Sequence, residues 1–294
     1  LALAHGRLPR VEGHTAGASG EKVPGIAAAG FTSDHEPITA TYYGLDGDIG
    51  GIAPGRYVDL CLLDDLAEPR PSAVVARGQV AAVDGRLLAR VPEPPWRRVF
   101  ASPEARLAVR WRARAADFAL PARERYPIVK LVSAVISRLE ERPLAAGDLH
   151  AALVDRGGRW VAPGVVAGFA EQLDGFAATI STDLNILVLG RSPEAMARAV
   201  NRLLDLHGGI VLVDGGAVAY ELALPLGGIM TRGSVEESAG WEDEIRAALV
   251  ARGYPHHDPL FTLFFLSADF LPAVRLTPRG VWDVKQGRVL LPSR

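Results

Sequence analysis

Cysteine is almost missing from this chain. Cys61 stands alone among 294 residues, so no internal disulfide can form. It lies in the strand-like run "YVDLCLLDD" and reads as a small buried side chain; a reducing, cytoplasmic compartment fits. A dominant charge is missing too. Lys and Arg number 32 against 34 Asp and Glu, a formal net charge of −2. Such a balance gives no strong pull toward nucleic acid or an anionic membrane. No apolar run approaches the length of about 18 residues that a membrane span needs. The opening "LALAHGRLPR" has neither the long apolar stretch nor the small-residue cleavage site of a signal peptide. It also lacks an initiating Met, which points to a natural start elsewhere. There is no internal repeat and no low-complexity tract.

What remains is ordinary globular material, 49% hydrophobic and 22% charged. The length allows one large domain or two to three modest ones. Residues 1 to about 41 read as strand, glycine loop, short helix, strand, with Ser19 capping a helix through Ala29. Residues 42 to about 95 read as a small β unit. Its turns fall at the Pro-Gly pair before "RYVDLCLLD", at Arg77-Gly78 and at Asp84-Gly85. "VPEPPWRR" then forms a stiff boundary.

Residues 96–294 read as an α+β domain. "ILVLG" is a strand, and "GIVLVDGGAVAYEL" is a hairpin turning at Asp214-Gly215-Gly216. A helix starts at Ser192 with Pro193 in its first position, carries Met196, Val200, Leu203 and Leu204 on one face, and stops at Gly208-Gly209. Another starts at Ser234, closed by a capping box with Glu237, and runs to about Arg252. "PIVKLVSAVISRLEERPL" fits a helix by its apolar spacing and a strand by its β-branched content.

The histidines fall in polar knots. His14 lies in "VEGHTAGASG" and His35 in "TSDHE", 21 residues apart. By spacing alone they are a weak metal signal, surface or hydrogen-bonded histidines being the usual alternative. Asp34 and Glu36 orient a ligand, touch a substrate, or are solvated loop carboxylates. His256-His257 beside Asp258 reads as an exposed loop. His5, His150 and His207 have no partners nearby in sequence, and His207 suits a helix C-terminus.

"GDIGGIAPGRYVDLCLLDDL" resembles the stretch that follows the catalytic barrel in metal-dependent amidohydrolases. Within that superfamily "VEGHTAGASG" and "TSDHE" are similar to the loops after the fifth and sixth barrel strands of adenine deaminases. "GRSPEAMARAVNRLLDLHGGIVLVDGGAVAYELALPLGGIM" and "DPLFTLFFLSADFLPAVRLTPRGVWDV" resemble the domain that sets adenine deaminases apart from most relatives.

The resemblance implies an α+β chain in three parts. These are a remnant of a (β/α)8 barrel (1–41), a small β-sandwich-like composite domain (42–95) and a C-terminal adenine-deaminase-type α+β domain (96–294). It implies His14 and His35 as ligands of a divalent cation, Mn or Fe or alternatively Zn. It implies adenine as substrate, a water activated by the metal attacking C6, and hypoxanthine and ammonia as products. Asp34, Glu36 and Asn185 would lie near metal or substrate. A homodimer follows by resemblance only.

Two departures stand out. Between "TSDHEPITA" and "TYYGLDGDIGG" the family has two further strand-and-helix units, the second carrying a metal-binding aspartate. That aspartate has no counterpart here, which leaves the catalytic residue unassigned, with Glu36 as candidate. The family's usual His-Asp-Ser-His-Asn run reads Ser181-Thr182-Asp183-Leu184-Asn185, keeping only the asparagine of its polar ends. Three readings follow: part of a working adenine deaminase, an inactive shortened paralogue, or a binding or assembly module. Another nucleobase or cyclic-amide amidohydrolase is the runner-up assignment.

Overall fold

A computed structural model describes residues 25–28, 40–65, 70–102 and 105–294. The chain divides into two compact units, 1–94 and 95–294, the division falling inside the proline-rich stretch.

The first unit holds a five-stranded antiparallel meander. Its strands are β1 (Gly25–Ala28), β2 (Leu60–Leu63), β3 (Pro71–Ala76), β4 (Gln79–Val83) and β5 (Arg86–Leu87), in that order. Arg77-Gly78 and Asp84-Gly85 make its two-residue hairpin turns. All four residues have positive φ, the type I′ geometry whose twist matches the flanking strands. Arg77 N donates to Asp59 Oδ1 (2.6 Å) and Gly78 N to the Val58 carbonyl (2.9 Å), fixing the first turn. Cys61 sits opposite Ala27 and Val74 and is half-buried rather than enclosed.

Two expectations change here. The helix expected from Ser19 through Ala29 is, over Gly25–Ala28, an edge strand antiparallel to β2. Ladder pairing overrides the helix preference of two alanines. In the first unit the described residues form one antiparallel sheet, not a sandwich; the expected barrel remnant, 1–41, lies outside the described residues except for 25–28 and 40–41.

The second unit shows the α+β class. It is built from four hairpins: β6 (Tyr126–Leu131) with β7 (Ser137–Arg142), β8 (Asp148–Val154) with β9 (Val161–Ala167), β10 (Gly175–Ala178) with β11 (Ile186–Gly190), and β12 (Gly209–Asp214) with β13 (Ala217–Ala223). They form one eight-stranded sheet in the order β13-β12-β10-β11-β8-β9-β6-β7. Every pairing is antiparallel except β6 with β9.

Both faces of this sheet are covered, so β9, β10 and β11 are apolar throughout. One face packs Ala152, Val154, Val188 and Val211 against helix α1 (Pro193–Asp205) through Met196, Val200 and Leu203. The other packs Leu149, Leu153, Val166 and Leu212 against three elements. These are helix α2 (Val235–Val250), helix α3 (Pro259–Phe265) and a three-stranded sheet of β14 (Val274–Thr277), β15 (Gly280–Asp283) and β16 (Arg288–Pro292). Glycine sets how close α1 comes. A Cβ on Gly175 of β10 would lie 2.3 Å from the Ala195 carbonyl carbon.

The caps are as the sequence reads. Ser192 accepts from Ala195 N (3.2 Å) with Pro193 following. Ser234 and Glu237 form a complete capping box.

Candidate functional site

Asn185 is the one sequence-predicted site residue within the described residues; His14, Asp34, His35 and Glu36 lie outside them. Asn185 ends the loop that joins β10 to β11. Both ends of that loop are anchored. At its start the buried Thr179 hydroxyl accepts from Gly209 N (2.8 Å) and also bonds the Gly228 carbonyl. A Cβ on Gly209 would fall 1.8 Å from the Leu222 carbonyl oxygen, so this corner needs glycine. Its φ of +125° makes the same demand.

The loop's middle closes on itself. Ser181 Oγ donates to Asp183 Oδ1 and lies equally close to the Asn185 carbonyl, both at 2.9 Å. Asn185 N and Nδ2 donate to the two Asp183 oxygens at 3.2 and 3.1 Å. The Asp183 carboxylate is thereby committed to holding the loop, and the Asn185 amide is engaged with it. Leu184, at φ +60° and 41% exposed, is what the loop presents outward. An alkyl group can neither transfer a proton nor bind a metal. Thr182 ties the loop to the end of α3, donating from its backbone N to the Phe264 carbonyl (3.1 Å) and meeting Ser267 Oγ at 3.0 Å.

His256 departs from the exposed loop expected of it. Its ring is partly buried, edge-on to Tyr254 at 5.5 Å, and Nε2 is buried without a partner. Burial pushes its pKa below 6.5, against a raising hydrogen bond to the Gly168 backbone, and the charges of His257 and Lys130 push it further down. His257 is exposed. Burial raises the neighbouring Tyr254 phenol to about 12. Its hydroxyl is 2.6 Å from Thr262 Oγ1 and donates to the Asp258 carbonyl (2.7 Å). His150 lies on β8 with Nδ1 buried and unpartnered. His207 follows α1 at φ +61°. Among the described residues no group of three or more His, Cys, Asp and Glu side chains could hold a metal.

Two arginines were not singled out by sequence. Arg275 on β14 is 1% exposed and bonds only neutral groups. It donates to Ser137 Oγ (2.5 Å) and to the carbonyls of Val274 (3.3 Å), Val135 (3.0 Å) and Pro272 (2.8 Å). Burial without a carboxylate brings its pKa down to about 10. Arg156, after β8, bonds the Gly227 carbonyl, and burial holds it below the ordinary arginine range. An Arg inside the alternating run "AVRLT" was the available signal for Arg275; Arg156 left none.

A groove of about 540 Å³ runs along the outer side of α1, with Arg198, Asn201, Arg202 and Asp205 in its wall. Its polar groups are already engaged. Arg202 makes two 2.7 Å bonds to Glu221, Asp205 meets Arg112 at 2.9 Å, and Asn201 bonds both backbone groups of Ala113.

This is an α+β domain: a covered, mainly antiparallel sheet whose β10–β11 loop is latched by its own carboxylate. Residues 134–288 match the family model described as the adenine deaminase C-terminal domain. The chain belongs to the adenine deaminase family. It is 34% identical over 265 residues to a provisionally named adenine deaminase of Halalkalibacterium halodurans, covering 86% of this chain and 44% of that protein. A provisionally named adenine deaminase of Bacillus subtilis is 30% identical over 282 residues, covering 93% and 47%. An adenine deaminase of Shigella sonnei is 31% identical over 260 residues, covering 84% and 44%. The chain therefore spans less than half the length of these relatives.

Proposed function

We propose that this chain serves as the C-terminal part of an adenine deaminase, which hydrolyses adenine to hypoxanthine and ammonia. The match of residues 134–288 to that domain carries the reading. The names of the relatives support the purine substrate. In this reading His14 and His35 belong to the ligand set of a divalent cation, Mn or Fe or alternatively Zn. Asp34 and Glu36 stand near metal or purine, with Glu36 the candidate catalytic carboxylate. A bound cation would supply a water acidic enough to act as nucleophile at neutral pH. The described residues offer no ligand set of their own.

A second reading has one observation in its favour. The loop latched by Asp183 presents Leu184 outward, so a protein without turnover that binds or assembles is the alternative. Another nucleobase or cyclic-amide amidohydrolase is the runner-up among enzymes.

The test is ammonia release from adenine with added Mn²⁺ or Fe²⁺, by the chain alone and by the polypeptide extended to the length of its relatives. Turnover by the extended polypeptide supports the deaminase. Adenine binding without ammonia supports the module. Ring opening of a cyclic amide, or ammonia from another nucleobase but not from adenine, supports the runner-up.

A further inference from the structure

Six large apolar side chains stand exposed on segments of the second unit that hydrogen bonds hold together. They are Val132, Ile136, Leu184, Phe261, Phe264 and Phe270, each between 41% and 68% exposed. Hydrogen bonds tie their segments together. Thr262 Oγ1 donates to the Ala134 carbonyl (2.7 Å), fixing the β6–β7 turn against α3. Arg275 bonds the Val135 and Pro272 carbonyls, joining that turn to the stretch after Phe270. Thr182 fastens the Leu184 loop to the Phe264 carbonyl and Ser267. Residues 131–137 and 259–268 contain no charged side chain. A rigid apolar face of this kind on a folded domain marks a contact surface.

We propose that this face seats the part of an adenine deaminase polypeptide that precedes the portion aligned with this chain. The inference rests on the reading above. Its occupant is argued from length: the match is to a C-terminal domain, and more than half of each relative lies outside the aligned portion. Five of the six residues fall inside the family match. Contacts between domains of one chain are of this partly apolar type. Leu184 enlarges the patch at the position where the family resemblance expects histidine.

The test mixes the 294-residue chain with the separately produced preceding portion of the Bacillus subtilis relative, its folding checked by a cooperative melt. Sedimentation should show a one-to-one complex. The triple variant Phe261→Ser, Phe264→Ser, Phe270→Ser should weaken it at least tenfold while keeping its own melting transition. Val235→Ser, an exposed change on α2, should leave it intact. Should the preceding portion not fold alone, the two pieces are joined in one polypeptide. There the wild-type face should give one thermal transition and the triple variant two. No complex with a folded partner, or a complex indifferent to the phenylalanines, overturns the proposal. So do two transitions in the joined wild type, and self-association of the chain that the triple variant abolishes, which would assign the face to a second copy. Ammonia release is not read here: a stable complex that leaves adenine untouched would fault the deaminase reading and spare the interface.

Discussion

In the five-stranded sheet, no residue of β3 or β4 is fully buried, whereas every residue of β9, β10 and β11 is. Both sheets are antiparallel, apart from the β6–β9 pairing of the large one, and both are rich in valine and alanine. They differ in what determines them. The small sheet is shaped by turns with positive φ and by a half-wet ladder. The large one is shaped by two dry faces, each with its own layer of helix or strand. One should answer to changes at its turns, the other to changes in side-chain volume.

The largest effect should follow truncation in the dry sheet. Leu153→Ala removes a fully buried side chain, and a loss of about 2–5 kcal/mol is expected in denaturant unfolding of the second unit. A loss below about 1 kcal/mol would erase the contrast.

Acid should come next. The Asp155 carboxyl, 5% exposed, is held below 3.8 by its two-point bond to Arg159, with burial opposing and the Arg159 and Gly157 backbone N–H groups assisting. Burial pushes Asp148 up, but its paired bonds from Arg142 and one from Ala145 N leave it lowered. Both folded pKa values lie below the unfolded ones. Their stabilisation is therefore complete above about pH 4 and is lost as pH falls through the folded values. Asp155→Asn should flatten that acid slope in stability measured between roughly pH 4 and 2.

In the small sheet the order should reverse. Gly78→Ala meets no atom within 4 Å, but it forces an L-residue to φ +77°. A loss of about 1–2 kcal/mol is expected. Val80→Ala, at a residue already 54% exposed, should cost about 0.5 kcal/mol or less. Hydrogen exchange of β2–β4 amides would rank the two, and Val80→Ala outranking Gly78→Ala would break the comparison.

The smallest effect concerns His256. Its folded pKa is below 6.5, so its contribution is full above that pH and fades as pH falls through the folded value. Lys130, His257, Tyr254 and the Gly168 carbonyl surround it. His256→Phe should remove the stability slope just below pH 6.5.

The same difference explains what could be read in advance. Caps and turns are local, so Ser192, Ser234, Arg77-Gly78, Asp84-Gly85 and Asp214-Gly215-Gly216 were all legible. "PIVKLVSAVISRLEERPL" was not, because its apolar positions satisfy both periods. Ser133 decides it locally, its hydroxyl accepting from Ile136 N (3.1 Å) to turn β6 into β7. The parallel pairing with β9 decides it at a distance. Gly25–Ala28 joined β2 for a reason of the same long-range kind. His256 was misplaced because nothing in "YPHHDP" reveals that its ring packs edge-on to Tyr254 or that Gly168 lies beside it. Of the candidate site, Asn185 could be found, but its engagement by Asp183 and Ser181 rests on loop geometry invisible in the letters.

The single parallel pairing in the large sheet has a bearing on synthesis. Val161, the first residue of β9, leaves the ribosome thirty residues after Leu131 closes β6. At about 5–20 residues per second the newborn β6–β7 hairpin waits for seconds with one flank unclaimed. Its outer strand, "SRLEER", is guarded by charge, while "YPIVKL" has Lys130 alone. Yield at high temperature or high expression should therefore be limited by that interval more than by the finished molecule's resistance to unfolding.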